Sequence, residues 1–119
     1  MKRIFVLFLL VLTITLLLTG CRPEGVPAES DVDLINQFLD SNGDIAYCNN
    51  VSQETIDRFL QIVREVMEIE GAKIFFTYGD PVGVYSMVPG ESNTLIASIQ
   101  VKNGASEGFY YIDKILFPE

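Results

Sequence analysis

Two cysteines and not one histidine limit the covalent chemistry that this 119-residue chain could do. Cys21 closes the run Leu18-Thr19-Gly20-Cys21. There the small residues Thr19 and Gly20 leave the backbone open to a peptidase, and Cys21 supplies a thiol. Without histidine, a serine–histidine or cysteine–histidine nucleophile pair is excluded, as is the usual zinc site. Asp40-Ser41-Asn42-Gly43-Asp44 starts like a calcium loop, with oxygen ligands at alternate positions. It then departs from that pattern: Ile45 stands where glycine is required and Val51 where the bidentate glutamate belongs. The segment therefore reads as a turn between helices. The sequence has no glycine-rich phosphate loop.

The remaining candidates are Asp113 and the tyrosines Tyr78, Tyr85, Tyr110 and Tyr111, which all fall on expected strands. Strict alternation puts Asp113 on the side of Phe109, Tyr111, Ile115 and Phe117. Facing an interior, its carboxylate could act as a base. Otherwise it faces solvent or pairs with Lys102 or Lys114 at a sheet edge. Aromatics at strand spacing otherwise read as core or sheet surface.

These groups need elements to position them. Met1-Lys2-Arg3 is positive, and residues 4–18 carry no charge and only Thr13 and Thr15 as polar breaks. That is the order of a secretory signal, and the run is shorter than the ~20 residues of a spanning helix. Residues 22–29 include Pro23, Gly25 and Pro27, which argue against regular structure. Residues 21–30 are therefore expected to form a flexible tether of up to ~25 Å, with no basic cluster to hold it on lipid.

Ser30-Asp31-Val32-Asp33 fits a capping box for a first helix ending near Asp40, with Leu34, Ile35, Phe38 and Leu39 on one face. Asp44 can cap a short turn of helix through Tyr47 or Cys48. Ser52 caps the longest helix, about 53–70. Its stripe runs through Ile56, Leu60, Val63 and Met67, widened by Phe59, Ile62, Val66 and Ile69. Gly71 supplies the stop. Four strands follow, at about 72–78, 82–88, 94–102 and 108–117. In the third, Leu95, Ala97, Ile99 and Val101 alternate against Thr94, Ser98, Gln100 and Lys102. Short links favour an antiparallel meander packed on the long helix, an α+β fold.

The formal net charge is −8, and loss of Lys2 and Arg3 takes it to −10. Such a chain lacks the basic footprint that nucleic acid requires. A cationic protein or peptide is the partner class that this charge favours. The length allows one small domain, expected as a monomer.

The positive start, the apolar run and Leu18-Thr19-Gly20-Cys21 together resemble the signal peptide and lipobox of bacterial lipoproteins. The resemblance implies cleavage between Gly20 and Cys21 and lipidation of the Cys21 thiol by diacylglycerol. Two or three acyl chains, palmitate among them, would hold the protein outside the cytoplasm, in the cell membrane or the outer membrane. Each buried methylene contributes about 0.8 kcal/mol to such an anchor. The chain then divides into a signal (1–20), a lipidated cysteine with its tether (21–30) and an α+β domain (31–119). Acylation of Cys21 leaves Cys48 without a disulfide partner, so Cys48 reads as a small buried hydrophobe.

The order of elements resembles the short lipoprotein domains of the nuclear transport factor two-like superfamily. The matching residues are Phe38-Leu39 before Asn42-Gly43-Asp44, Ser52 opening the helix with Phe59-Leu60, and Gly108-Phe109-Tyr110-Tyr111-Ile112-Asp113-Lys114-Ile115. The resemblance covers residues 31–117. It implies N-terminal helices packed on a four-stranded antiparallel sheet curved into a cone; the cystatin-like fold is similar. Some enzymes of that superfamily use an aspartate base and a tyrosine donor inside the cone, which makes Tyr78, Tyr111 and Asp113 the candidate ligand-binding residues. The leading expectation is a non-enzymatic binding or interaction module of the envelope, with no cofactor and no metal. One alternative is a small-ligand-binding or proton-transfer enzyme using the cone interior. The other is an inhibitor of a cationic envelope enzyme.

Overall fold

The computed structural model describes residues 24–118. The signal, Gly20 and Cys21 lie outside the described residues. Among the described residues, no helix is long and apolar enough to cross a membrane.

The helices begin where the sequence supplies caps. Helix α1 spans Asp31–Asp40, and the Asp33 N–H donates to Ser30 Oγ at 3.1 Å. A 3₁₀ turn, Ile45–Tyr47, opens with the Ala46 N–H donating to Asp44 Oδ1 at 2.9 Å. Helix α2 spans Gln53–Met67, and the Thr55 N–H donates to Ser52 Oγ at 3.1 Å. Each cap satisfies an amide that a helix start would leave without a partner.

The sheet is five-stranded, antiparallel and curled into a half-barrel, with both helices on one face. Its strands are β1 (Val26–Pro27), β2 (Lys73–Thr77), β3 (Val82–Met87), β4 (Thr94–Asn103) and β5 (Phe109–Leu116), in the order β1-β5-β4-β3-β2. Strands β2 to β5 are the expected meander. Strand β1 is the correction to the expected four. Val26 pairs with Tyr110 and Pro27 with Phe109, inside the segment read as a flexible tether. Proline is tolerated there because β1 is an edge strand and its missing N–H breaks no ladder. Beyond β1, the free edge of β5 is met by Cys48, which bridges Ile112 in parallel, while the Asn49 N–H donates to the Ile112 carbonyl at 2.8 Å.

Two β-bulges shape the sheet. One lets Val84 pair with Ala97 and Tyr85 with Leu95, leaving Ile96 as the extra residue. The other lets Gln100 pair with Lys114 and Val101 with Ile112, leaving Asp113 as the extra residue. Each adds local twist and reverses the phase of alternation beyond it. Leu95 is therefore displaced from the expected inward row, and Ile96 joins Ala97 and Ile99 in the core.

The core fills the space between helices and sheet. Leu34, Ile35, Phe38, Ile56, Phe59, Val84, Ala97, Ile99 and Ile112 are fully buried. Phe38 stacks on Phe59 with ring centroids 6.4 Å apart. Gly43, at φ 78°, ends the α1 turn directly under Leu60; a Cβ there would sit 2.5 Å from a Leu60 methyl.

The sheet has two distinct ends. At one lie the β4–β5 turn, the β2–β3 turn and the start of α1. At the other lie the β3–β4 turn, the end of β5 and α2, which crosses from β5 towards β2.

Candidate functional site

Asp113 owes its position to the second bulge. Strict alternation put it on the side of Ile115 and Phe117. The extra residue breaks that phase: Ile115 belongs to the core cluster, and Phe117 packs against it. Asp113 instead pairs with Lys102, with Oδ2 and Nζ 3.3 Å apart. Lys102 stands directly opposite Tyr111, so the carboxylate is held on the face of the sheet away from the core. Its side chain is only 12% exposed. Burial of a carboxylate is tolerated when an opposite charge sits beside it.

The three candidate residues do not converge. Tyr111 is buried and lies across from Lys102. Tyr78 is 84% exposed, just past the end of β2. Strands β3 and β4 lie between β2 and β5, so Tyr78 and Asp113 are separated by roughly 14 Å of sheet. The arrangement joins Asp113 to an ammonium group and leaves Tyr78 to solvent.

Larger concavities lie elsewhere. A groove of about 430 Å³ runs between the first turns of α2 and the end of β5, lined by Glu54, Arg58, Leu116 and Phe117 among others. The Arg58 guanidinium sits 4.3 Å from the Phe117 ring centroid, an attraction between cation and ring face. A smaller recess of about 230 Å³ adjoins it and shares Thr55, Ile115 and Leu116; Ser52, Asp113 and Lys114 complete its wall. The lining mixes polar and apolar groups and carries both signs of charge. Such a surface can hold a flat or extended group against Phe117 and Leu116, and select it by charge at the rim. Sequence reading missed it, because Arg58 and Phe117 are far apart in the chain and share no local pattern.

At the other end of the sheet, a cleft of about 370 Å³ is lined by Glu29, Asp31, Asp80 and Tyr110 among others. Among the described residues, no cluster of three metal-ligating side chains is present. The Asp40–Asp44 run serves as a turn: Ser41 Oγ donates to the Phe38 carbonyl at 2.7 Å and accepts from the Asp44 N–H at 3.0 Å.

Cys48 is a half-buried free thiol packed against the core. Burial pushes its thiol up to about 12, and the nearby Asp44 carboxylate adds to the effect. A thiol held protonated in this way is a poor nucleophile and metal ligand.

Compared with protein-family models, with curated proteins and with solved structures, the chain matches none of them.

Proposed function

We propose that this protein is a lipid-anchored lipoprotein of the bacterial envelope, attached through Cys21, whose domain acts as a non-enzymatic binding or interaction module. The observation that carries the interaction reading is the filled interior. Phe38 and Phe59 stack between the helices and the half-barrel sheet and occupy the space that a catalytic pocket would need. The tie between Asp113 and Lys102 supports it further, because the carboxylate proposed as a base is already engaged by a cation. The anchor reading rests on Leu18-Thr19-Gly20-Cys21 at the end of the apolar run. An excess of negative charge makes a cationic protein or peptide the favoured partner.

Crosslinking in the native envelope, followed by capture of this chain, tests the reading. A specific, saturable protein adduct is expected, weakened by charge reversal at Glu54 and strengthened by charge reversal at Lys114 on the groove rim. Labelled palmitate should enter the wild-type chain and not Cys21→Ala. An enzymatic turnover abolished by Asp113→Asn would replace the interaction module with the proton-transfer reading.

A further inference from the structure

Residues 24–28 are docked at a defined place on the sheet. The Glu24 carbonyl lies against Gly104, where a Cβ would collide with it, and Gly25 lies against the Tyr110 backbone. Further along, the Ala28 N–H donates to the Gly108 carbonyl at 3.0 Å, and Gln37 Nε2 donates to the Pro27 carbonyl at 3.1 Å. All of these contacts lie at the end of the sheet that carries the β4–β5 turn. Only Arg22 and Pro23 stand between Glu24 and Cys21. Three residue steps span at most about 10–11 Å, so Cys21 cannot lie further than that from the β4–β5 end.

We infer that the domain has a fixed polarity on the membrane: the β4–β5 end faces the lipid headgroups and α2 faces away. This rests on the acylation of Cys21 proposed above. Strand β4 is ten residues long, so the far end stands roughly 30 Å further out. The facing end carries Glu24, Glu29, Asp31, Asp80 and Glu107. Anionic headgroups repel those carboxylates, so the short covalent link, and not surface attraction, holds this end near the bilayer. The acidic cleft at Glu29, Asp31 and Asp80 then opens towards the membrane. The groove at Arg58 and Phe117 opens outward, where a soluble or partner-anchored protein can reach it.

The test uses the full-length chain expressed in a bacterium, purified with its lipids and reconstituted in nanodiscs containing phosphatidylcholine spin-labelled at the headgroup. Intact mass reads the acyl chains. Broadening of amide resonances then reads which end lies near the lipid. Amides of residues 104–108 should broaden several-fold more than those of residues 53–58 and 90–93. A flexible glycine–serine insertion between Pro23 and Glu24 should level that difference without disturbing the fold. Gly104→Ala should level it too, by dislodging Glu24. Equal broadening at both ends of the acylated chain, or stronger broadening at α2, overturns the polarity and leaves the anchor standing. A chain whose mass shows no acyl group overturns the anchor, and the polarity falls with it.

Discussion

The first turns of α2 bury Ile56, Phe59 and Leu60, whereas its last turns, with the same apolar spacing, leave Met67 55% exposed and Val63 only half-buried. The first half is covered by Phe38 of α1, by the Gly43 turn and by β5. The second half runs out over β2, a five-residue edge strand with no neighbour on its other side among the described residues. Periodicity thus reports which face of a helix can be buried. How much of that face is buried depends on the extent of sheet beneath it, which helix spacing alone does not encode.

The contrast breaks if the two halves respond alike to truncation. Phe59→Ala should cost about 3–5 kcal/mol and Leu60→Ala about 2–5 kcal/mol, because each empties a packed site that cannot fully collapse. Chemical denaturation with an unchanged slope would read both values. Next in size is Gly43→Ala, expected to cost about 1–3 kcal/mol. It places a side chain at positive φ and drives a Cβ into Leu60, so it should weaken the same half of the helix without touching α2 itself.

A chemical probe sharpens the contrast further. Cys48 packs against the core at the well-covered end, and its thiol is pushed up to about 12. At pH 8 its reaction with a thiol reagent in the native protein should be at least about tenfold slower than in the denatured chain. Below the ordinary thiol range, the protonated form favoured by the fold is fully present. As pH rises from the ordinary 9 towards 12, its contribution to stability is lost. Equal native and denatured rates would place Cys48 outside the core. The smallest effects belong to the exposed half: Met67→Ser should shift stability within about ±0.5 kcal/mol. Arg64→Ala, which removes a 2.9 Å hydrogen bond from Nη2 to Asn42 Oδ1 at the surface, should cost well under about 1 kcal/mol. A loss at Met67 as large as that at Leu60 would show that the helix is covered along its whole length.

Local chemistry was legible wherever it decided the structure. Ser30, Asp44 and Ser52 cap the three helical elements, because a side-chain oxygen beside free amides is a short-range fact. The four-strand meander and its turns could be read for the same reason. Helix α2 ends at Met67, short of the expected 70, and the chain turns through Ile69 before reaching Gly71 at φ 80°. Hidden were the features that only a second strand can impose. The bulge at Asp113 depends on its pairing with Gln100 and Val101, so strict alternation gave this residue the wrong neighbours. Strand β1 was hidden too, because Pro27 argues against a strand in general and says nothing of an edge. The groove between Arg58 and Phe117 exists only once α2 is laid beside the end of β5.

The pairing of β1 with β5 also sets an order of events. Val26 meets Tyr110, more than eighty residues further along the chain. The closing of so long a loop is entropically unfavourable until the rest of the sheet is in place to receive it. Docking of residues 24–28 is therefore expected late in folding, after the meander and α2 have come together. If Cys21 carries the anchor proposed above, completion of the fold shortens the free chain that precedes the domain, and the last contacts to form are those that draw the domain towards its point of attachment.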